Sequence, residues 1–204
     1  TYAWIWEGAY LENSDSQVLS GKVAIKEFAV EEDDLYLWDG PYHGMDFGFA
    51  QDPTTALRAW VRDDRLWIDY EAGKVGLELD DTSEFISGKI PKIAQHVVRA
   101  DSARPESISY LKRHGLPKCT GVKKWPGSVA DGITHLRSYK EIVIHPRCVE
   151  TITESRKYSY KVDRLSGDVM PDVVDKDNHY MDALRYAVGP LIKGKKGGIV
   201  LPTR

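Results

Sequence analysis

The sequence predicts an α/β fold, in which a mixed sheet combines an antiparallel meander with parallel strands and carries helices on both faces. Between residues 43 and 71, three segments with strand-like patterns are joined by tight turns, which is typical of a meander. After residue 80, short apolar segments alternate with segments of helical spacing, which is typical of parallel strands connected by helices.

The meander is predicted from strands at residues 43–49, 55–62 and 66–71. Residues 55–62 alternate apolar and polar side chains, as a half-buried strand does. Asp52-Pro53 lies in the turn before this strand, and Asp63-Asp64 forms the turn after it. Gly44 and Gly48 interrupt the first strand, and residues this small allow another backbone or a ligand to approach closely.

The second half of the chain has the signals of alternating helices and strands. Asp81, Thr82 and Ser83 are candidates for the N-cap of a first helix, and Pro105 fits the first turn of the next one. Apolar strands are predicted at residues 96–100, 119–122 and 142–145. The remaining predicted elements are helices at about 105–114, 128–139, 148–158 and 178–192, with a polar hairpin at 158–170.

Composition is that of a single globular domain. Of the 204 residues, 42% are hydrophobic and 29% are charged, so one sizeable core is expected. No run of about 18 apolar residues occurs, and residues 1–7 lack the basic start of a secretory signal, so we expect a cytoplasmic protein. Cys119 and Cys148 do not have the spacing of zinc ligands and are expected to be buried thiols.

Charge is distributed unevenly along the chain. Residues 1–100 contain 9 Lys and Arg against 19 Asp and Glu, whereas residues 101–204 contain 19 against 12. Such asymmetry fits either a polyanionic partner or solvated faces of opposite sign, so it selects no function by itself.

Three aspartates carry the strongest chemical signal. Asp46 lies inside the first predicted strand, where a carboxylate is costly unless it is paired or binds a cation. Asp101 ends a predicted strand, the position at which α/β sheets place their sites. Asp182 lies beside the apolar stripe of the last predicted helix. Because the predicted fold brings all three to one edge of the sheet, they form a candidate site for hard divalent cations.

Each aspartate also has a purely structural interpretation. Asp46 could satisfy a turn, Asp101 could cap a helix that begins near Pro105, and Asp182 could be a surface charge. The metal-binding hypothesis therefore rests on the combination and its order along the chain.

Three sequence segments carry these aspartates, namely Met45-Asp46-Phe47-Gly48-Phe49 with Asp52-Pro53-Thr54, Asp101-Ser102-Ala103, and Asp182-Ala183-Leu184-Arg185-Tyr186-Ala187. Together they resemble the nuclease domain of the large terminase subunit of tailed bacteriophages. The opening Tyr2-Ala3-Trp4-Ile5-Trp6-Glu7-Gly8 is similar to the segment that joins the ATPase module of those proteins to the nuclease. The resemblance covers about residues 2–192.

The resemblance implies a ribonuclease-H-like fold and an endonuclease that cuts concatemeric viral DNA during genome packaging, in the cytoplasm of the infected bacterial host. It implies that Asp46, Asp101 and Asp182 are catalytic and ligate two Mg²⁺ or Mn²⁺ ions for phosphodiester hydrolysis. The implied partners are double-stranded DNA, an ATPase module of the same polypeptide, the portal protein and the small terminase subunit, and no membrane.

The resemblance, together with the excess of Gly and Lys after residue 192, divides the chain into three parts. Residues 1–20 are predicted to be a segment connecting to a missing ATPase module, residues 21–192 the nuclease domain, and residues 193–204 a flexible tail. The phosphate-binding pattern Gly-x-x-x-x-Gly-Lys-[Ser/Thr] does not occur in the 204 residues, so the ATPase module is expected outside this sequence.

Further residues are candidates for roles around the three aspartates. Many relatives in the resembled family have an acidic pair or a glutamate at one of these positions, which makes Asp175 or Asp177 a candidate extra ligand. His179 shares a helix face with Asp182 and is predicted either to support or join the ligands, to move a proton, or to cap or pack the helix.

Lys123 and Lys124 precede a helix start at Gly127-Ser128 and are candidates for phosphate contacts, with a solvated basic turn as the alternative. Arg104 could contact the scissile phosphate or pair with a carboxylate, and Lys161 of the hairpin could lie along the DNA backbone.

Two other functions are consistent with these patterns. One is another nuclease of the ribonuclease-H fold, such as a junction resolvase or a ribonuclease. The other is a non-catalytic nucleic-acid-binding or assembly module whose acidic residues are structural. Metal-stimulated plasmid nicking separates the last of these from the nucleases, and the preferred substrate separates the nucleases from one another.

Overall fold

The computed structural model describes residues 16–192, and the predicted tail and most of the predicted connecting segment lie outside this range. The described strands are β1 (Val23–Ile25), β2 (Asp39–Asp46), β3 (Pro53–Arg62), β4 (Arg65–Val75), β5 (Val98–Ala100), β6 (Cys119–Gly121), β7 (Glu141–Ile144), β8 (Tyr160–Val162) and β9 (Val169–Val173). The described α-helices are α1 (Leu79–Lys89), α2 (Pro105–Arg113), α3 (Ser128–Ser138), α4 (Val149–Lys157) and α5 (His179–Val188).

Seven of these strands form one mixed sheet in the order β1-β7-β4-β3-β2-β5-β6. The pairs β2–β3 and β3–β4 are antiparallel and form the meander, whereas β2–β5, β5–β6, β4–β7 and β1–β7 are parallel. The predicted fold class is therefore confirmed. β8 and β9 form a separate two-stranded hairpin, as the pattern of residues 158–170 predicts.

Two apolar cores lie on opposite faces of the sheet. One core contains side chains of α3 and α5, with Ile152 of α4 packed against it. The other contains Ile86 of α1 with Ile108 and Leu111 of α2. Helices thus cover both faces, which leaves the strand ends as the open edges of the sheet.

A β-bulge in β4 changes which side chains face which core. Arg58 pairs with Tyr70 but Ala59 pairs with Ile68, so Asp69 has no counterpart on β3. Ile68 consequently packs in the core under α3 and α5, while Tyr70 packs against the opposite core. Asp69 is 4% exposed and receives a two-point ion pair from Arg58, with nitrogen–oxygen distances of 2.9 and 2.7 Å.

Some predicted boundaries are wrong. α1 begins at Leu79 after the N-cap Glu78, so the predicted N-cap residues Asp81, Thr82 and Ser83 lie inside the helix. The Thr82 hydroxyl donates to the Glu78 carbonyl at 2.8 Å, a bond made along the helix instead of at its cap.

The chain also contributes to the core before Gly21. Val18 and Leu19, which the predicted boundary assigns to the connecting segment, are 1% and 3% exposed. The two cysteines are fully buried thiols, as predicted. In residues 16–192, no helix has the length and apolar character needed to span a membrane.

Candidate active site

The carboxyl ends of three neighbouring parallel strands place acidic and basic residues together. Asp46 is the last residue of β2, and Asp101 directly follows β5. The Asp101 amide donates to the Met45 carbonyl at 3.2 Å, which continues the pairing of the two strands beyond β5. Lys124 follows β6, the next strand in the sheet, by three residues. One sheet edge thus carries all three side chains, as the carboxyl ends of parallel strands require.

The third aspartate reaches this edge because α5 packs directly on β2. Gly44 faces the helix, and a Cβ atom at that position would overlap the carbonyl oxygen of Ala183 and lie 2.7 Å from the amide nitrogen of Ala187. The expectation that Gly44 permits a close backbone approach is therefore confirmed. Asp182, in the first turn of α5, is carried to the end of β2 by this contact.

A buried glutamate fixes the start of α5. The N-cap Asn178 makes no side-chain capping bond, so the first amides of the helix need another acceptor. Glu154 of α4 supplies it, since its Oε2 accepts the Tyr180 amide at 2.7 Å and the Met181 amide at 3.3 Å. Burial raises the pKa of Glu154 to about 7, against the opposing effect of these amide bonds.

Electrostatic coupling shows that the three aspartates share one environment. Burial raises the pKa of Asp46 to about 6, and the charges of Asp182 and Asp101 add to this effect, while the His179 hydrogen bond opposes it. The pKa of Tyr186, which is 7% exposed, is raised mainly by burial and further by the charges of all three aspartates.

Each aspartate has a basic partner from this chain. His179 Nδ1 lies 3.2 Å from Asp46 Oδ2. Lys124 Nζ lies 2.5 Å from Asp101 Oδ1, and Arg185 donates to Asp182 Oδ1 at 2.5 Å. These contacts keep the mutual repulsion of three clustered carboxylates small.

His179 links the cluster to the loop after β2. Its Nε2 lies 3.3 Å from Asp52 Oδ1. Burial disfavours the charged imidazole, but the hydrogen bond with Asp46 and the charges of Asp46 and Asp52 outweigh it and raise the pKa of His179. Of the roles predicted for His179, the geometry shows a partner of Asp46.

The donor set has the chemistry that Mg²⁺ and Mn²⁺ require, because it consists of carboxylate oxygens with one imidazole beside them. Within residues 16–192, however, no three His, Cys, Asp or Glu side chains are arranged to hold a metal ion as they lie. Lys124 and Arg185 each contact one oxygen of an aspartate in this arrangement. A metal ion that used these same two oxygens would compete with Lys124 and Arg185 for them.

Comparison with known proteins identifies the family of this chain. The model of the family described as "Terminase RNAseH like domain" matches residues 46–189, a span that begins at Asp46 and includes Asp101 and Asp182. The chain belongs to this terminase family. The resemblance predicted from the sequence is thereby confirmed.

Terminase relatives share both sequence and fold with the chain. The large terminase subunit of Bacillus phage SPP1 is 34% identical over 182 residues, which are 87% of this chain and 42% of that protein. The PBSX phage terminase large subunit of Bacillus subtilis (strain 168) is 31% identical over 147 residues, covering 71% of this chain and 33% of that protein. The chain therefore spans less than half the length of these curated relatives.

A solved structure supports the ribonuclease-H-like fold. The crystal structure of the g2p (large terminase) nuclease domain from bacteriophage SPP1 with bound Mn has a TM-score of 0.73 and 32% identity. The match covers 83% of this chain and 97% of that chain.

The other predicted residues differ in how the structure relates them to the three aspartates. Arg104 and Lys123 are exposed beside Asp101 and Lys124 in sequence, and in residues 16–192 neither has a carboxylate partner. Lys161 and Asp175 line a groove of about 830 Å³ that runs from Asp182 between the β8–β9 hairpin and the start of α3. Asp177 has a positive φ of 50° in the loop before α5, and no contact joins it to the three aspartates.

The sequence did not predict several residues of this candidate site. Arg185 follows Asp182 by three positions, and this spacing on a helix is a signal that could have predicted the pair. Asp52 appears in the family motif, but nothing local points to its contact with His179. Glu154 lies 26 residues before its amide partner on another helix, so no local pattern reveals it.

The buried Asp46 carboxylate gives a pH-dependent prediction. With EDTA at pH 7.5, Asp46→Asn should raise the free energy of unfolding by about 1–3 kcal/mol, because a pKa shift from 3.8 to about 6 is worth about 1.4 kcal/mol per unit. The native pKa lies above the unfolded one, so the stability of the unsubstituted protein falls as the pH rises from about 4 to about 6. The pKa of His179 is also raised, so this residue also makes the protein less stable as the pH rises. Urea unfolding of both proteins between pH 4 and 8 tests this, and a difference that does not vary with pH would contradict it.

Proposed function

We propose that the chain is the nuclease part of a large terminase subunit and cuts double-stranded DNA by divalent-metal-dependent hydrolysis of the phosphodiester. The observation that carries this proposal is the convergence of Asp46, Asp101 and Asp182 from three separate elements on one sheet edge. Three ion pairs with a structural role alone would not require their carboxylates to converge from separate elements on that edge.

In this proposal, Asp46, Asp101 and Asp182 hold two Mg²⁺ or Mn²⁺ ions. Two such ions activate a water molecule and stabilise the leaving oxygen of an in-line displacement. The protein supplies the rest by orienting groups: Glu154 fixes the start of the helix that carries Asp182, and His179 holds one oxygen of Asp46. Arg185 fixes one oxygen of Asp182 from a position 7% exposed.

The DNA is proposed to approach the same edge. Arg104 and Lys123 are exposed and close in sequence to Asp101, and the exposed Lys161 lines the same groove as Asp182. All three are suited to contacts with backbone phosphates, which position DNA without reading its sequence. We therefore propose cleavage with little sequence preference. The cellular substrate proposed is concatemeric viral DNA in the host cytoplasm, with an ATPase module of the same polypeptide, the portal protein and the small terminase subunit as partners.

The expected result is conversion of supercoiled plasmid to nicked and linear forms by the chain with Mg²⁺ or Mn²⁺, and no conversion with EDTA. Gel electrophoresis over a metal titration measures it. If a folded sample leaves the plasmid intact at every Mn²⁺ concentration, the acidic residues are structural and a binding or assembly module is the correct function.

A substrate comparison separates the proposed endonuclease from other nucleases of the same fold. Equal concentrations of plain duplex, four-way junction and RNA–DNA hybrid are offered with Mn²⁺. Faster cleavage of plain duplex is expected, whereas a strong preference for the junction or the hybrid would assign the chain to a resolvase or a ribonuclease.

A further inference from the structure

Lys124 lies within the candidate site, although the sequence alone places it in a basic turn. Its Nζ atom is 2.5 Å from Asp101 Oδ1 and 5.5 Å from the centre of the Tyr186 ring. The ammonium group therefore lies between Asp101 and the ring of Tyr186, a residue of the helix α5 that also carries Asp182. The Lys124 side chain is nevertheless 43% exposed, so it also reaches the solvent side from which a substrate arrives.

This position puts an ammonium group in competition with a metal ion. Asp101 Oδ1 is shared between Lys124 and the Ala103 amide, which donates to it at 3.0 Å. A divalent ion on Asp101 would be repelled by a positive charge at this distance, and the repulsion is relieved only if the lysine leaves.

The surroundings of Lys124 allow it to leave. It lies in the segment between β6 and α3, outside any helix or strand, and its ammonium group is carried on a flexible four-carbon stem. A backbone phosphate placed for attack at the aspartates would offer the ammonium group a new anionic partner within reach of the same stem.

We propose that Lys124 is a positioning residue that neutralises Asp101 until duplex DNA binds and then moves to the phosphodiester, which couples DNA binding to metal binding. The proposal rests on the proposed nuclease function. In the DNA-free protein, the ion pair of Lys124 with Asp101 lowers the affinity for a divalent ion below the affinity that the three aspartates would have without Lys124. By linkage, the transfer of Lys124 to DNA strengthens metal binding by the same factor by which metal strengthens DNA binding.

The first test is a calorimetric titration of Mn²⁺ into the protein without DNA. Lys124→Met, which keeps the stem and removes the charge, should bind Mn²⁺ about fivefold more tightly, the factor that corresponds to a strong exposed ion pair. The matched control is Lys140→Met, because Lys140 pairs with Asp64 at 2.9 Å on the surface, beside the β3–β4 turn at the opposite end of the sheet. Its Mn²⁺ affinity should equal that of the unsubstituted protein.

The second test measures DNA binding by fluorescence anisotropy of a phosphorothioate duplex, which resists cleavage, in the presence of Mn²⁺. Lys124→Met should bind this duplex more weakly, and the slope of log affinity against log salt should fall by about 0.9 for the lost phosphate contact. A gain in metal affinity together with a loss in DNA affinity is the signature, since a residue with only a structural role would not change the two in opposite directions. Lys124→Arg, which keeps the charge, should restore both affinities.

Two outcomes would overturn the proposal. If Lys124→Met changes neither affinity, or lowers both, while the unsubstituted protein binds Mn²⁺ and cuts plasmid, the coupling is wrong and the nuclease function remains. If the unsubstituted protein neither binds Mn²⁺ nor cuts plasmid, the proposed function fails, and this inference fails with it.

Discussion

Gly44→Ala is expected to lower the free energy of unfolding by about 3 kcal/mol, at the upper end of the cost of overpacking a core. The added methyl group would overlap the Ala183 carbonyl oxygen and crowd the Ala187 amide, and both are backbone atoms of α5 that cannot rotate away. The helix must therefore move off β2, which also separates Asp182 from Asp46. We expect plasmid cleavage to fall by at least about a hundredfold, as small misplacements in active sites do.

Gly88→Ala is the matched control for this prediction. Gly88 lies in the last turn of α1, and a Cβ atom there would meet no heavy atom within 4 Å. Alanine is preferred over glycine in helices by up to about 1 kcal/mol, so this variant should be as stable as the unsubstituted protein or more so. Urea unfolding and plasmid nicking of both variants are the measurements. Equal urea midpoints for the two variants would mean that α5 does not pack closely against Gly44 of β2 in solution.

The parts of the site that the sequence predicted are those fixed by short-range patterns. Asp101 could be placed at the sheet edge because an apolar strand segment ends at it, and the carboxyl ends of parallel strands are aligned. Asp46 was identified by the cost of a carboxylate inside a predicted strand, and the structure ends that strand at Asp46 itself. Gly44 was informative for a similar reason, because a glycine inside a strand signals a close approach of another backbone.

The parts that the sequence did not predict depend on contacts between distant segments. The bulge at Asp69 shifts the side-chain alternation of β4, yet no residue pattern in that strand announces the extra position. The first amides of α5 are capped by Glu154 of another helix, and no residue near the start of α5 in sequence indicates this contact. Lys124 was predicted to contact phosphates beside a helix start, whereas its ion pair with Asp101 depends on the packing of β6 beside β5.

The balance of charge in the site connects these contacts with function. Three carboxylates are opposed by Lys124, Arg185 and His179, so the cluster is close to neutral when the histidine is protonated. Arg185 is 7% exposed and is held by the packing of its stem against Gly132, whereas Lys124 is exposed. The two cations therefore have different freedom: Arg185 fixes its aspartate, while Lys124 can exchange its partner.

Asp182→Asn is expected to abolish cleavage and to leave the fold intact. Asparagine keeps the shape of the side chain and an oxygen that accepts from Arg185, so α5 and its contact with Gly44 should persist. Removing the counter-charge of a buried arginine should cost about 1–3 kcal/mol, less than the about 3–5 kcal/mol of a fully broken buried pair. The substitution leaves two carboxylates to hold two divalent ions, and loss of either ion removes water activation or leaving-group stabilisation. We expect a rate reduction of at least about a thousandfold, equivalent to about 4 kcal/mol of barrier.

The decisive comparison for Asp182 uses the thermal midpoint with EDTA and with Mn²⁺, together with plasmid nicking. A ligand that binds only the native state raises the midpoint, so Mn²⁺ should raise it in the unsubstituted protein and much less in Asp182→Asn. Asp81→Asn is the control, because Asp81 is an exposed aspartate in the first turn of α1. Like Asp182→Asn, it removes a negative charge from the start of a helix, so it has the same unfavourable effect on the helix dipole. It should keep both the Mn²⁺-induced rise and the nicking rate. Nicking by Asp182→Asn at the unsubstituted rate would exclude Asp182 from the site and make Asp175 or Asp177 the third ligand to test.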